Sequence, residues 1–308
     1  MALPYTYRVT QYDPRERDAS GGYTGALDSI SDEGPLEAAY LDAFEVFARE
    51  LGVTHLAVRM PEVHRDSPDE FLLDSTHVGA RLFGADLAGF YDGAVVDVAG
   101  ARLLIQEMLR ERELWCVLEA EGRMVVDIAG EMYMFIGASG QCPTAVARAF
   151  DAGLFAETWP WPVSLLERAP SRLPADRAFW ERVDDLVAKH GAVLLWEWSG
   201  WVRWHRITPG DAHPSLRPRS LVDVLRDLDA DVAGVLLGVA EDSCGPLVWE
   251  DAVGRLHETH EYWDPRTQAL VRAEARRARL MGDANDEPPL LQAVNADPDG
   301  VIRACWPA

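Results

Sequence analysis

An α+β fold built on antiparallel sheets follows from three observations on this 308-residue sequence. Apolar residues at helical spacing alternate with short β-branched and aromatic runs. Those runs come in pairs joined by tight-turn residues, which favours hairpins over parallel crossover units. A helix followed by a hairpin then recurs up to three times along the chain, each round carrying its own turn signals.

The elements are justified in order. Residues 5–12 (YTYRVTQY) are aromatic and β-branched and predict a strand, followed by turn residues Asp13-Pro14 and Gly21-Gly22. Gly34-Pro35 starts a helix, with Pro at its first position. Leu36, Tyr40, Phe44, Phe47 and Leu51 share one face, and Gly52 ends it. A strand is expected at 53–60. Residues 61–92 are polar and irregular and predict a long loop with short elements. A helix at 99–111 leads into strands LWCVLEA, RMVVDIA and MYMFIG, and a helix covers 143–152. Trp159-Pro160-Trp161-Pro162 and further prolines mark 158–174 as a linker.

Helix 176–190 follows, with Asp176 as N-cap, Phe179, Val183 and Leu186 on one face, and Gly191 at its end. Strands AVLLWEW and WVRWHRI form a hairpin about Ser199-Gly200, which sets Trp198 opposite Trp201. Ser220 resembles a capping-box residue for a helix at 221–229. VAGVLLGVA, PLVWED and GRLHETH read as strands. Asp264-Pro265 opens a helix running to Gly282, and strands LLQAVNA and VIRACW close the chain. Three units are expected: 1–95, 96–172 and 173–308.

Composition limits the function classes. The formal net charge is -22, which opposes nucleic acid and anionic membrane as global partners. No apolar run reaches the ~20 residues of a membrane span, and the N-terminus lacks a secretory pattern. Cys116, Cys142, Cys244 and Cys305 are scattered and form no Cys-x-x-Cys pair. Their apolar surroundings predict buried thiols, and the expected location is cytoplasmic.

One stretch departs from the acidic background. Residues 196–219 (WEWSGWVRWHRITPGDAHPSLRPR) concentrate Trp, Arg and His. Trp198, Trp201, Arg203, Trp204, His205 and Arg206 are the candidate ligand-binding residues. Indole faces beside guanidinium groups suit a base, an aromatic ligand or a phosphate. The competing reading is a tightly packed hairpin, since cross-strand aromatic pairs also stabilise sheets.

Other constellations are weaker. His257 and His260 sit in a strand pattern that puts them on opposite faces, so no metal site is expected. The turn 137–140 (GASG) precedes a helix and could hold an anion at its N-terminus. Dinucleotide, Walker-type and Gly-x-Ser-x-Gly motifs do not occur. No catalytic set is recognised and no cofactor is expected. Carboxylates concentrate at 28–50 and 223–264, the second holding eleven against Arg226 and Arg255. Arg272 and Arg276, one turn apart on the expected last helix, are positioned to pair with that stretch.

Several segments carry a family resemblance. YRVTQYDPRERD, GPLEAAYLDAF, GVTHLAVR, ELWCVLEAEGR, AFWERV, RWHRIT and DPDGVIRACW resemble an actinobacterial family labelled RNA-binding protein. That label rests on a C-terminal S1 domain, and this sequence ends at Trp306-Pro307-Ala308, where that domain would begin. The resemblance therefore implies the N-terminal region of the family and supplies no catalytic residues. The expected function is a non-catalytic acidic binding or adaptor protein, with a basic protein as partner, weak binding of generic nucleic acid and no membrane contact. An immunity or antitoxin-like protein and an enzyme with a site between subdomains are the alternatives.

Overall fold

A computed structural model describes residues 3–18, 23–25, 30–63, 73–160, 172–238, 245–260, 264–281, 288–296 and 299–302. The fold is α+β. The chain divides into two compact units, residues 1–171 with 303–308, and residues 172–302.

The first unit contains β1 (Tyr5–Thr10), α1 (Pro35–Glu50), β2 (His55–Val63), α2 (Val78–Phe83), β3 (Val95–Asp97) and α3 (Val98–Leu109). β4 (Leu114–Ala120), β5 (Met124–Ala129), β6 (Tyr133–Ala138), α4 (Pro143–Asp151) and β7 (Phe155–Thr158) follow. Its seven strands form one antiparallel sheet in the order β3-β2-β4-β5-β6-β1-β7. Residues 1–95 and 96–172, expected as separate units, thus share a sheet through the pairing of β2 with β4.

Register explains which face is filled. Tyr7, Ile136, Val126, Leu118 and Val58 lie in one row across five strands and are buried. α1 covers this face with Tyr40, Phe44 and Phe47, the Phe47 ring lying 5.2 Å from that of Tyr7. The Asp32 carboxylate caps α1 by accepting from the Gly34, Leu36 and Glu37 amides. Gly52, at φ +65°, supplies the left-handed residue that follows its last turn. Glu37 on α1 is buried and accepts from Arg110, Gln106 and Ser31, which ties α1 to the chain around α3. Cys116 and Cys142 are buried free thiols, and burial raises both, Cys142 to about 11.

The second unit contains β8 (Leu173–Pro174), α5 (Arg177–His190), β9 (Val193–Trp198), β10 (Val202–Ile207), β11 (Leu221–Arg226) and α6 (Val232–Leu237). β12 (Leu247–Glu250), β13 (Leu256–Thr259), α7 (Pro265–Glu274), β14 (Arg277–Leu280) and β15 (Leu291–Val294) complete it. A five-stranded sheet runs β10-β9-β11-β15-β8, antiparallel except for the short β15–β8 pairing. α5 starts on Asp176, whose carboxylate accepts from the Ala178 and Phe179 amides. Its Phe179, Val183 and Val187 pack on Val193, Leu195, Ile207, Val222 and Val224. On the opposite face, Leu194, Leu225 and Leu228 meet Val248 of a three-stranded sheet ordered β13-β12-β14. Leu236 of α6 and Val271 of α7 pack on that smaller sheet against Leu247, Trp249 and Ala278.

Three element assignments are corrected here. Residues 221–226 are a central strand rather than the start of a helix. Val222 and Val224 face α5 while Leu225 faces the smaller sheet, so both faces need apolar side chains and the period-2 signal is hidden. Ser220 caps nothing; its hydroxyl is fully buried against Glu197. Residues 232–237 are a helix rather than a strand, capped by Asp231 through the Gly234 amide. The last helix stops at Glu274, and 277–280 form a strand because β12 offers a free edge that buries Ala278 completely. Of the expected last strand, Val301 and Ile302 belong to no element and 303–306 lie outside the described residues. Trp161 and Pro162, Gly21-Gly22, Cys244 and Cys305 also lie outside them.

Candidate functional site

The Trp–Arg hairpin turns through three residues, 199–201, with Gly200 at φ +84°. Three-residue hairpin loops need a left-handed position, which glycine fills without strain. The added residue shifts the expected register. Trp198 pairs with Val202, Trp196 pairs with Trp204, and Trp201 lies in the turn, 5% exposed. The Arg217 guanidinium sits 5.9 Å from the Trp201 ring centre.

The hairpin's polar groups are directed at the chain's own carboxylates. Arg206 forks onto Asp227 at 2.7 and 2.8 Å and reaches Glu250 at 3.4 Å. Arg277 approaches the same two carboxylates, at 3.4 and 3.8 Å. The result is a neutral square of two arginines and two acids joining β10 to β12 and β14. Trp204 Nε1 donates to Glu258 at 2.5 Å, joining β10 to β13. His205 Nε2 lies 2.9 Å from Glu197, which is fully buried and also accepts from the Arg217 amide and the Ser220 hydroxyl. Burial alone would raise the Glu197 carboxyl. The hydrogen bonds from His205, Ser220 and Arg217 outweigh it and hold the group below its ordinary value. Arg203 and Trp198 are half-buried, and Arg203 has interactions of its own. These contacts make the hairpin the joint between the two sheets of the second unit.

The remaining sequence candidates resolve similarly. His257 stacks on Trp249 at 4.2 Å and meets Asp251 at 3.0 Å, while His260 meets Glu258 at 2.9 Å. Among the described residues, no three His, Cys, Asp or Glu side chains are grouped to hold a metal ion. The N-terminus of α4 does bind an anion, and it is Glu50, which accepts from the Thr144 and Ala145 amides at 3.2 and 2.8 Å. Arg277, rather than Arg272 or Arg276, engages the acidic stretch, and Arg272 donates to Gln268. A cleft of about 450 Å³ is lined by Arg226, Asp227, Asp229 and Arg279 among others. Its carboxylates are engaged, Asp227 by Arg206 and Asp229 by the Asp231 amide.

Sequence reasoning missed a second cationic cluster, in the first unit. Glu157, Arg8, Phe135 and Asp127 form one row on the sheet face opposite Tyr7. Arg8 is 8% exposed; its Nη2 donates to Glu157 at 2.7 Å, and its guanidinium lies 4.0 Å above the Trp159 ring. Arg17 reaches the same Glu157 oxygen at 3.8 Å. Tyr133, Phe135 and Trp159 form an aromatic wall, with ring centres 6.3 and 5.8 Å apart. The signal was present as alternation in YTYRVT, where Arg8 interrupts a strand that is otherwise apolar or hydroxylic. A buried arginine inside a central strand calls for a partner.

Comparison with family models, with curated proteins and with solved structures finds no match for this chain.

Proposed function

We propose that this chain is a non-catalytic acidic binding protein whose partner is a protein with a basic surface. The observation that supports this reading is the way its cations are used. Arg206 and Arg277 are spent on Asp227 and Glu250, Arg110 on Glu37, and Arg59 on Asp92 and Glu119. With 51 acidic and 29 basic residues, internal pairing of this kind leaves the excess acid facing solvent. On α5, Asp185 is an exposed carboxylate, and Glu181 and Asp184 are also exposed while meeting Arg177 and His213. Such a field speeds encounter with a cationic partner and repels RNA, so binding of generic RNA is weak.

The test is capture of partners from extract of the native host on the immobilised chain, followed by affinity measurement with each purified partner. The reading expects a basic protein bound with at least about tenfold loss of affinity from low to physiological salt. It also expects loss of binding when exposed carboxylates such as those of α5 are reversed to lysine. A partner whose affinity ignores both salt and charge reversal would overturn it.

A further inference from the structure

We propose that Arg8 and Arg17 hold the carboxylate of a small ring-bearing organic acid on the first unit's sheet. The argument begins with charge. Two guanidinium groups converge on the single carboxylate of Glu157, leaving one positive charge in excess. Both arginines are largely removed from water, with side-chain exposures of 10% and 14%. Among the described residues, Arg8 Nε and Arg17 Nε and Nη2 are buried without a hydrogen-bond acceptor. Buried donors of a charged group ordinarily find acceptors, because leaving them unpaired carries the full desolvation penalty.

Among the described residues, Asp13, Glu16 and Asp127 do not fill the gap. Asp13 is bound by Arg15, and Glu16 accepts from the Tyr23 hydroxyl. Asp127 shares the row but stands two strands from Arg8, with Phe135 between them. Burial raises the Asp127 carboxyl, and no cation offsets that rise. The missing counter-charge is therefore one negative unit. A monocarboxylate supplies it and matches the planar guanidinium fork. A phosphate dianion would overshoot it. The body of the ligand follows from the wall beside the arginines, since Tyr133, Phe135 and Trp159 present ring surface suited to an aromatic or flat apolar group.

This site stands apart from the protein-binding reading, and either can fail alone. The probe is benzoate, titrated calorimetrically into the full chain, with benzyl alcohol, acetate and inorganic phosphate as comparisons. Benzoate is expected to bind saturably with one site, and to slow amide exchange in β1, β6 and β7. Benzyl alcohol, acetate and phosphate are each expected at least tenfold weaker. R8Q breaks the Glu157 contact and the stack on Trp159, so its failure to fold would be ambiguous. R17Q is the decisive variant. It removes the surplus charge, so its melting temperature should equal or exceed that of the parent while benzoate affinity falls at least tenfold. Absence of saturable benzoate binding at millimolar concentration, unchanged binding by R17Q, a lowered melting temperature for R17Q, or preference for phosphate would each overturn the proposal.

Discussion

Replacing Glu37 with Gln tests whether one buried carboxylate fastens α1 to α3. The group is 3% exposed and accepts from Arg110 through two bonds of 2.7 Å, from Ser31 at 2.7 Å and from Gln106 at 2.5 Å. Burial would raise its pKa, but Arg110, Ser31 and Gln106 outweigh burial and bring it down to about 2. An unfolded glutamate titrates near ~4.3, so the shift is roughly two units, or about 3 kcal/mol of stability at neutral pH. The sign follows from the depressed folded value. The contribution is complete above the unfolded pKa and disappears as pH falls from about 4.3 towards 2. E37Q keeps the shape and loses the charge. At pH 7 it should destabilise the first unit by up to about 3 kcal/mol. The difference from the parent should shrink as pH falls and be nearly gone near pH 2. Urea unfolding followed by amide exchange in α1 and α3 peptides isolates this unit from the other. Comparing parent with variant at each pH also cancels the relief of acidic repulsion that protonation brings to the whole chain. Equal midpoints at pH 7, or a difference independent of pH between 5 and 2, would refute the argument.

Three further outcomes are expected. Trp201→Ala opens a cavity in the turn of the Trp–Arg hairpin and should cost about 3–5 kcal/mol, read by tryptophan fluorescence during urea unfolding; an unchanged midpoint would leave Trp201 without a structural role. A double-mutant cycle on Arg206→Ala and Asp227→Ala should give a coupling of about 1–3 kcal/mol, and zero coupling would dissolve the arginine–carboxylate square. Generic RNA should show no submicromolar binding at about 150 mM salt, and tight salt-sensitive binding would contradict the repulsion argument.

Local signals carried much of the fold. Gly34-Pro35 and Gly52 bracketed α1, Asp176 and Gly191 bracketed α5, and the strands β4, β5 and β6 appeared within a residue of their observed ends. The failures share a physical cause. β11 lies between β9 and β15 with both faces covered, so its sequence LVDVLR has no polar face to expose its period. α6 buries only Leu236, so its apolar run VAGVLL resembles a strand. β14 is a strand because an edge of β12 is available, information that lies about thirty residues away. The hairpin site was legible as composition but not as contact. Its partners Asp227, Glu250 and Glu258 are separated from it by 21 to 54 positions, and no local pattern links them.

That separation also explains why the two cationic clusters exchange prominence between sequence and structure. Basic residues adjacent in sequence, such as Arg203, His205 and Arg206, alternate across a strand and must meet different neighbours on its two faces. Arg206 finds Asp227 and Glu250 on one face, and His205 finds Glu197 on the other, so local concentration of charge disperses on folding. Arg8 and Arg17 are nine positions apart and inconspicuous in the chain. They converge because both are drawn to one oxygen of Glu157, about 150 positions downstream on the neighbouring strand β7. In a chain of net charge -22, a buried site with more cations than anions runs against the overall balance. Arg172 also has donors without acceptors but faces Asp223 one to one, so what distinguishes this site is two arginines on the single carboxylate of Glu157. R17Q separates the two kinds of site: losing an arginine of the fold's ionic joints should destabilise, whereas losing the surplus one should not.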